Sequence, residues 1–247
     1  EVVSVMSISE VPLRIAGTNN ERECDEAAIY RQCLPLGGAK ILELGCGTAV
    51  HTVAIASHEP SASITAYEID AIQHRKNELL ASSNISFKFG GAQAIAEPDG
   101  TFDVVMMFKS LHHVPLDDLD LAFAEISRVL KPGGLLYLSE PVFAGPFNEI
   151  LRLFHDEEKV RRAAFDATCR AVSSGQFSSA EEIFFNSLVR FEDFADFEYK
   201  VINVTHSDHQ LDVDLHNLVK KRFEQSQTQD GARFSAPMRV NVLKKQS

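Results

Sequence analysis

Several features that mark particular protein classes are missing from this sequence of 247 residues. No apolar run approaches the roughly 20 residues that a helix needs to span a bilayer. The N-terminus, which begins at Glu1 rather than Met, has no basic region followed by an apolar block and does not resemble a secretory signal. Basic residues are outnumbered, with 24 Lys and Arg against 35 Asp and Glu, a net charge of −11. Because so acidic a chain repels phosphate backbones, we expect neither nucleic acid nor membrane as a partner.

Cysteine is also scarce, and its four copies form no CxxC pair and no paired metal-ligand spacing. We therefore expect reduced thiols in a cytoplasmic protein, and no metal site. The stretch 206–216 contains three histidines and three aspartates, but its spacing matches no metal template. It favours a solvated loop that leads into a helix. The oligomeric state is left open.

What the sequence does contain, from residue 40 onward, is an alternation of short apolar strands with helical patterns. The strand candidates read KILELGCG, SITAYEID, ISFKFGG, TFDVVMMF and LLYLSEP. Between them lie the helical patterns HTVAIASHE, AIQHRKNELLASS and DLDLAFAEISRVL, the last of which is stopped by KPGG. This rhythm predicts an α/β fold with a doubly wound, mostly parallel sheet.

The flanking segments break this rhythm. Before residue 40, NNERECDEAAIYRQCLP predicts one helix with Asn20 as its N-cap. After residue 145, FNEILRLFHDEEKVRRAAFDATCRAV predicts a long helix, SSGQFSS a loop and AEEIFFNSL a further helix. FEYKVINVTH and PMRVNVLKK read as two late strands that enclose the helix LHNLVKKRFEQS. The predicted division is a helical cap at 1–39, a Rossmann-like cofactor-binding core at 40–145, a helical lid insertion at 146–197 and sheet-completing strands at 198–247.

The first strand ends in a carboxylate followed by two glycines, Glu43, Gly45 and Gly47. Glu68 ends the second strand 21 positions after Gly47, close to the roughly 20 at which an acid accepts ribose hydroxyls. A dinucleotide fingerprint would place its third glycine at Val50, and its pyrophosphate would be repelled by Glu43. S-adenosylmethionine carries no phosphate but has an ammonium and a sulfonium, so the acid favours this cofactor.

Residues 40–141 resemble the class I S-adenosylmethionine-dependent methyltransferases, in particular the branch that acts on small molecules. ILELGCGTAVHT resembles the first motif of that family, ITAYEID the second, FDVVMMFKSLHHV the motif of the fourth strand, and EISRVLKPGGLLYLSEP the helix and strand that follow. The resemblance implies a Rossmann-like sheet of seven strands with the last antiparallel. EYKVINVTH would then be strand six and PMRVNVLKK strand seven.

The resemblance also implies a set of cofactor-binding residues around the carboxyl ends of the strands. They are Glu43, Gly45, Cys46, Gly47, Glu68, Ile69, Ala92, Gln93, Phe108, Lys109 and Leu111. Cys46 is interpreted as a small residue for close packing, and Asp70 as the N-cap of the next helix. Two positions depart from the family. Ala49 replaces a third glycine, and Gly91 replaces an aspartate that accepts the adenine amino group, a role that Gln93 could fill.

His112 and His113 are the candidate catalytic residues, because histidine can take a proton near neutral pH and SLHHV would face the substrate. The alternative, that one of them only stabilises the loop by hydrogen bonding, stays open. Twelve of 17 phenylalanines follow residue 140, where the family builds its substrate pocket, so we expect a small apolar or aromatic methyl acceptor. Two other functions are kept: a catalytically silent S-adenosylmethionine-binding sensor or partner subunit, and a nicotinamide-dependent oxidoreductase.

Overall fold

The computed structural model describes residues 12–18, 22–203 and 210–246. Its strands are β1 (Lys40–Leu44), β2 (Ser63–Glu68), β3 (Ile85–Phe89), β4 (Phe102–Phe108), β5 (Leu130–Pro141), β6 (Phe177–Phe191), β7 (Gln227–Thr228) and β8 (Gly231–Lys245). Its α-helices are α1 (Glu26–Cys33), α2 (Val50–His58), α3 (Ala71–Asn77), α4 (Leu119–Val129), α5 (Pro146–Leu151), α6 (Glu158–Ser173), α7 (Phe194–Phe197) and α8 (Val213–Glu224). Among these described residues, no helix is long and apolar enough to cross a membrane.

One sheet organises the chain, with the strand order β3-β2-β1-β4-β5-β8-β6 and the short β7 paired to β8. Strands β1 to β5 pair in parallel, whereas β8 is antiparallel to both β5 and β6. The predicted doubly wound, mostly parallel α/β fold is confirmed, as is the antiparallel last strand, but the sheet has eight strands instead of the predicted seven because the two-residue β7 also pairs with β8. The strand order reverses between β1 and β4, and ligands of such sheets bind at the carboxyl ends beside that reversal.

Hydrophobic residues cover both faces of the sheet. On one face, the sheet packs against α4 and α6, and α4 buries five apolar residues at helical spacing, from Leu119 to Val129. On the other face it packs against α1 and α2. A third cluster, rich in phenylalanine, joins the end of β6 to α5, α7, α8 and β8. Most of the late phenylalanines therefore form a core of their own.

The start of α1 differs from the prediction. Asn20, the predicted N-cap, lies outside the described residues, and the helix begins at Glu26 with Asp25 as its cap. The Asp25 carboxylate accepts a hydrogen bond of 2.9 Å from the backbone N–H of Ala27. This bond satisfies one of the unpaired donors of the first helical turn.

The predicted long helix after residue 145 is divided in two. Its first part ends as α5, and Asp156 accepts the backbone N–H of Glu158 at 3.0 Å where α6 begins. An aspartate in this position favours a turn and a new helix start over continuation of the old helix. The interruption brings Glu157 to the base of α6, where it belongs to the site described below.

The second half of the predicted helical lid, and strand six itself, were assigned wrongly. AEEIFFNSL is not a helix but the centre of β6, and the predicted strand over 197–206 is helical through residue 202. Residues 204–209, which include the start of the suspected metal stretch, lie outside the described part of the chain. The cause is tertiary, because β6 pairs with β8 from Phe177 to Phe191 and this ladder overrides the local helical pattern.

Candidate active site

The turn between β1 and α2 has an open backbone surface. Gly45 and Gly47 adopt φ values of +72° and +53°, which favour glycine. A Cβ on Gly45 would lie 2.7 Å from the Cβ of Ser110, so glycine is needed where this turn meets the end of β4. A Cβ on Gly47 would meet no described atom within 4 Å. Ala49 also has a positive φ of +61°, a conformation that favours glycine. The turn therefore offers space in which a ligand can contact the backbone.

Glu43 lies beneath this turn and is only 2% exposed. Burial raises its pKa to about 7, against the effect of a hydrogen bond from the Thr52 hydroxyl, and the negative charge of Glu68 adds to the increase. A carboxyl group of this kind is readily ionised by a nearby cation, because an opposite charge favours the charged form. Its chemistry fits the cationic methionine end of S-adenosylmethionine.

Glu68 ends β2 beside the turn and is tied to the backbone. One of its carboxylate oxygens accepts the N–H of Gly47 at 2.7 Å, and the other accepts the N–H of Asp70 at 2.8 Å. Each oxygen has two lone pairs, so both retain a site for a further donor such as a ribose hydroxyl. Asp70 accepts the N–H groups of Ile72 and Gln73, which confirms its predicted role as the N-cap of α3.

Asn77 is a residue of this site that the sequence analysis missed. It is fully buried at the end of α3, and its amide donates to the backbone oxygen of Gly47 at 2.7 Å. The same amide nitrogen lies 3.4 Å from the sulfur of Cys46. Burial raises the pKa of the Cys46 thiol far above its usual value, so this cysteine is a neutral packing group. In the sequence, Asn77 is one polar residue within a helical pattern, which does not by itself indicate a role in the site.

The loop after β3 brings Gln93 over Gly91. An ideal Cβ on Gly91 would lie 2.5 Å from the side-chain oxygen of Gln93, so this amide takes the space that a side chain at 91 would occupy. Ala92 is buried in the core cluster, whereas Ile69 is 60% exposed at the end of β2. The amide oxygen of Gln93 thus lies close to the place where the side chain of an aspartate at position 91 would begin.

The residues at the end of β4 separate into three environments. The ring of Phe108 stacks on His51 with centroids 4.0 Å apart, beneath α1 and α2. Lys109 adopts a φ of +53°, which is uncommon for a residue with a side chain, and its side chain borders a cavity. Leu111 is fully buried in the core. Of these three, only Lys109 reaches the cavity.

Tyr30 of α1 closes the other side of this region. Its fully buried ring meets those of His51, Phe108 and Tyr137 edge-on, at 5.8–6.4 Å between centroids. Its hydroxyl has no hydrogen-bond partner among the described residues. The neighbouring Tyr137 hydroxyl, by contrast, donates to Glu26 at 2.8 Å. An unsatisfied buried hydroxyl is costly unless another group completes it, and a bound ligand can supply that group.

A cavity of about 410 Å³ lies between the carboxyl ends of β4 and β5 and the segments that follow residue 141. Its apolar wall includes Val142, Phe147, Leu151 and Met238. Its polar lining is formed by Lys109, His112, His113, Asn148, His155, Glu157, Arg161 and Lys200. Three of the predicted site residues therefore meet here, namely Lys109, His112 and His113, while the residues of the glycine turn lie outside its lining.

His112 is held between two carboxylates. Its Nδ1 lies 2.5 Å from Glu140, and its Nε2 lies 3.6 Å from Glu157. Burial opposes protonation of the imidazole, but the two carboxylates outweigh it and raise the pKa of His112 to about 9. Glu140 also accepts the backbone N–H of Leu111 at 2.9 Å, and Arg161 binds Glu157 at 2.7 Å. In the protein alone, His112 therefore carries a proton near neutral pH and is a poor proton acceptor.

His113 differs from its neighbour in both exposure and charge. It is exposed, and its ring centroid lies 4.1 Å from that of His112. Although the residue is exposed by surface area, the surrounding cavity walls partly desolvate its imidazole, and this desolvation together with the charge of His112 lowers the pKa of His113. The sequence could identify this pair but not Glu140, Glu157 or Arg161, which come from distant segments.

Residues 41–134 match the family model of a methyltransferase domain. An O-methyltransferase of Aspergillus nomiae is 31% identical over 48% of this chain and 55% of its own length. A ubiquinone/menaquinone biosynthesis C-methyltransferase of Hahella chejuensis is 34% identical over 48% of this chain and 49% of its own. The chain spans about half the length of these curated relatives.

A solved structure of a candidate methyltransferase from Bacillus halodurans superposes with a TM-score of 0.62. It covers 90% of this chain and 99% of its own at 16% identity, a level that shows a shared fold. The family match, the glycine turn with its adjoining carboxylates and the strand order agree. Residues 41–134 therefore form a methyltransferase domain of the class I S-adenosylmethionine-dependent type, and the cofactor of this domain is S-adenosylmethionine.

Proposed function

We propose that this protein transfers a methyl group from S-adenosylmethionine to a small molecule held in the 410 Å³ cavity. The proposal rests on the position of the short segment that follows β4. Ser110, just after that strand, contacts the glycine turn and donates to the backbone oxygen of Leu44 at 2.7 Å. Its neighbours Lys109, His112 and His113 line the cavity. One short segment thus borders both the cofactor turn and the acceptor space.

The cofactor would lie against the glycine turn and the ends of β2 and β3. Glu43 and the Tyr30 hydroxyl fit its methionine end, Glu68 its ribose, and Gln93 with Ile69 its adenine. Cys46 and Ala92 would pack against it, while Phe108 and Leu111 would support the segment beside it. Because the sulfonium leaves as a neutral thioether, alignment of acceptor, methyl and sulfur is the protein's main task. Positioning of this kind is worth about 7–11 kcal/mol of a reaction barrier.

The cavity lining supports an acceptor with an apolar body and at least one oxygen. Asn148 is 5% exposed, and its side-chain nitrogen has no partner among the described residues, although its oxygen accepts from Arg161 at 3.1 Å. This nitrogen can donate to an acceptor oxygen. Of the late phenylalanines, Phe147 and Phe154 line the cavity, which supports an aromatic or aliphatic body.

An acceptor hydroxyl must lose its proton during methyl transfer. His112, His113 and Glu157 lie together at one end of the cavity, and we infer that the reacting oxygen binds there. α1 and the α5–α6 segment would exclude water from the site as lids. The four free thiols are those expected of a cytoplasmic protein.

The test is methyl transfer from labelled S-adenosylmethionine to a panel of small phenols, hydroxylated polyketides and quinols, read out as labelled product. The matched variants are His113→Gln, at the reacting end of the cavity, and His58→Gln, in an exposed histidine outside its lining. We expect turnover that falls at least 100-fold in His113→Gln and is unchanged in His58→Gln. Cofactor binding without turnover on any acceptor would favour the silent sensor, and binding of a nicotinamide cofactor instead would refute the proposal.

A further inference from the structure

Three potential metal ligands converge at the polar end of the cavity. They are His112 and His113, in the turn after β4, and Glu157, just before α6. Each can present one ligand atom so that all three atoms lie within 4.8 Å of one another. Because about 44 residues separate the histidines from the glutamate, no local spacing could predict this set.

The imidazole of His112 is already oriented as a metal-binding histidine would be. Glu140 holds its Nδ1 at 2.5 Å, and Glu140 is itself fixed by the backbone N–H of Leu111. A carboxylate on one ring nitrogen sets the tautomer and directs the other nitrogen outward, the arrangement that supports ligating histidines. Nε2 of His112 is thereby turned toward Glu157.

The separation between His112 and Glu157 suits a shared ion better than a direct hydrogen bond. Nε2 lies 3.6 Å from the nearer carboxylate oxygen, beyond ordinary hydrogen-bond length. Two ligands about 2.0–2.1 Å from a tetrahedral metal ion lie about 3.3 Å apart. The other oxygen of Glu157 binds Arg161 at 2.7 Å, which holds the carboxylate in place and leaves the first oxygen toward the histidines.

We propose that His112, His113 and Glu157 form a binding site for one divalent transition-metal ion of the Zn²⁺ or Co²⁺ class, whose binding displaces the Nε2 proton of His112 to solvent. Two imidazoles and one carboxylate suit these ions better than Mg²⁺ or Ca²⁺, which prefer oxygen ligands. His155 also approaches this end of the cavity, with its Nε2 2.9 Å from the carboxylate oxygen of Glu157 that faces His112. With three protein ligands, an ion held here would retain a coordination position for a further ligand.

This site would deepen the proposed function, on which its catalytic role rests. An ion held by these three residues would polarise an acceptor hydroxyl beside it and so lower the pKa of that hydroxyl group. The hydroxyl proton passes to solvent, the oxygen forms its bond to the methyl carbon, and the carbon–sulfur bond breaks with its electron pair going to sulfur. The products are the methyl ether and neutral S-adenosylhomocysteine, so charge and atoms balance.

Metal binding is tested on the full chain after treatment with a chelator and its removal. Co²⁺ is titrated and followed by its visible d–d absorption, Zn²⁺ is titrated by calorimetry, and Mg²⁺ serves as the comparison ion. We expect one Co²⁺ or Zn²⁺ per chain and at least 100-fold weaker binding of Mg²⁺. Absence of stoichiometric binding by the wild-type chain would overturn the site.

Substitutions at the proposed ligands, and at the residue that orients one of them, test which side chains bind the ion. Glu157→Gln and His113→Asn should each weaken Co²⁺ binding at least 100-fold, and Glu140→Gln about tenfold, because it orients a ligand without touching the ion. His58→Gln, an exposed histidine paired with Glu59, should bind as the wild type does. Circular dichroism and calorimetric binding of S-adenosylmethionine show whether each variant is folded. Equal Co²⁺ affinity in Glu157→Gln and wild type would exclude this ligand set.

The two proposals fail in different ways. If the chelated protein binds no transition metal but still transfers methyl groups, the metal site is refuted and the methyltransferase function stands. If Co²⁺ binds stoichiometrically through the three ligands but S-adenosylmethionine does not bind, the metal site is supported and the proposed function is refuted.

Discussion

Glu43→Gln is the substitution that most directly tests the electrostatics of the cofactor turn. Glutamine keeps an oxygen that can accept from the Thr52 hydroxyl, but it cannot ionise. In the wild-type protein, burial raises the pKa of Glu43 from 4.5 to about 7. The folded state therefore binds this proton more tightly than the unfolded chain does. In the protein without cofactor, stability falls as pH rises from about 5 toward 8.

The size of this effect follows from the shift. A difference of about 2.5 pKa units corresponds to about 3 kcal/mol at 1.36 kcal/mol per unit. Because Glu43 is almost completely buried, little of this is lost to solvent screening. We expect Glu43→Gln to be more stable than wild type at pH 8 by about 2–3 kcal/mol, relative to the difference between the two proteins at pH 5.

The affinity for S-adenosylmethionine should depend on pH in the opposite direction to the stability of the protein. The ammonium and sulfonium of S-adenosylmethionine favour ionised Glu43, so binding at pH 6.5 should release protons and affinity should rise between pH 6 and 8. Glu43→Gln should bind at least tenfold more weakly at pH 8, about 1.4 kcal/mol. Urea denaturation at pH 5 and 8 gives the stabilities, and calorimetry in buffers of different ionisation enthalpy gives the proton release. Parallel stability profiles for the two proteins, or no proton release, would refute the reasoning.

Three further predictions concern the proposed cofactor site. Glu68→Ala should weaken S-adenosylmethionine binding at least tenfold in calorimetry, about 1.4 kcal/mol, and an unchanged affinity would show that Glu68 does not bind the ribose. Ala49→Gly should change the free energy of unfolding in urea by less than about 1 kcal/mol, because strain relief offsets chain entropy. Ala49→Val should cost more than about 2 kcal/mol, because β-branched residues are outliers at positive φ, and equal stability of the two variants would contradict this account. Gln93→Leu should weaken binding by about 1–3 kcal/mol, and the double variant Gly91→Asp with Gln93→Ala should restore it if the adenine amino group is the partner.

The polar end of the cavity joins residues that no short motif contains. His112 contacts Glu140 of β5 and faces Glu157 at the base of α6, and Arg161 fixes Glu157 from one helical turn further on. A catalytic histidine was a sound hypothesis from sequence. Its protonation could not be inferred, because the two carboxylates that raise its pKa approach through the fold.

The first five strands show what the sequence determined by itself. Each of β1 to β5 is an apolar run bounded by turn residues, and the alternation of these runs with helical patterns was enough to predict the parallel sheet. The glycine turn, Glu43 and Glu68 were likewise local, because cofactor chemistry in this fold is concentrated at two strand ends.

Tertiary structure decided the rest. The segment that forms β6 has a helical pattern, and only its ladder with β8, about 50 residues away, makes it a strand. The number of phenylalanines after residue 140 predicted an apolar substrate pocket, but most of them form the core that joins α7 and α8 to the sheet. The cluster around His112 likewise exists only after α6 has packed against the turn that follows β4. Local pattern specifies an element when the spacing of its own apolar residues matches its structure, and long-range packing decides the element when the two conflict.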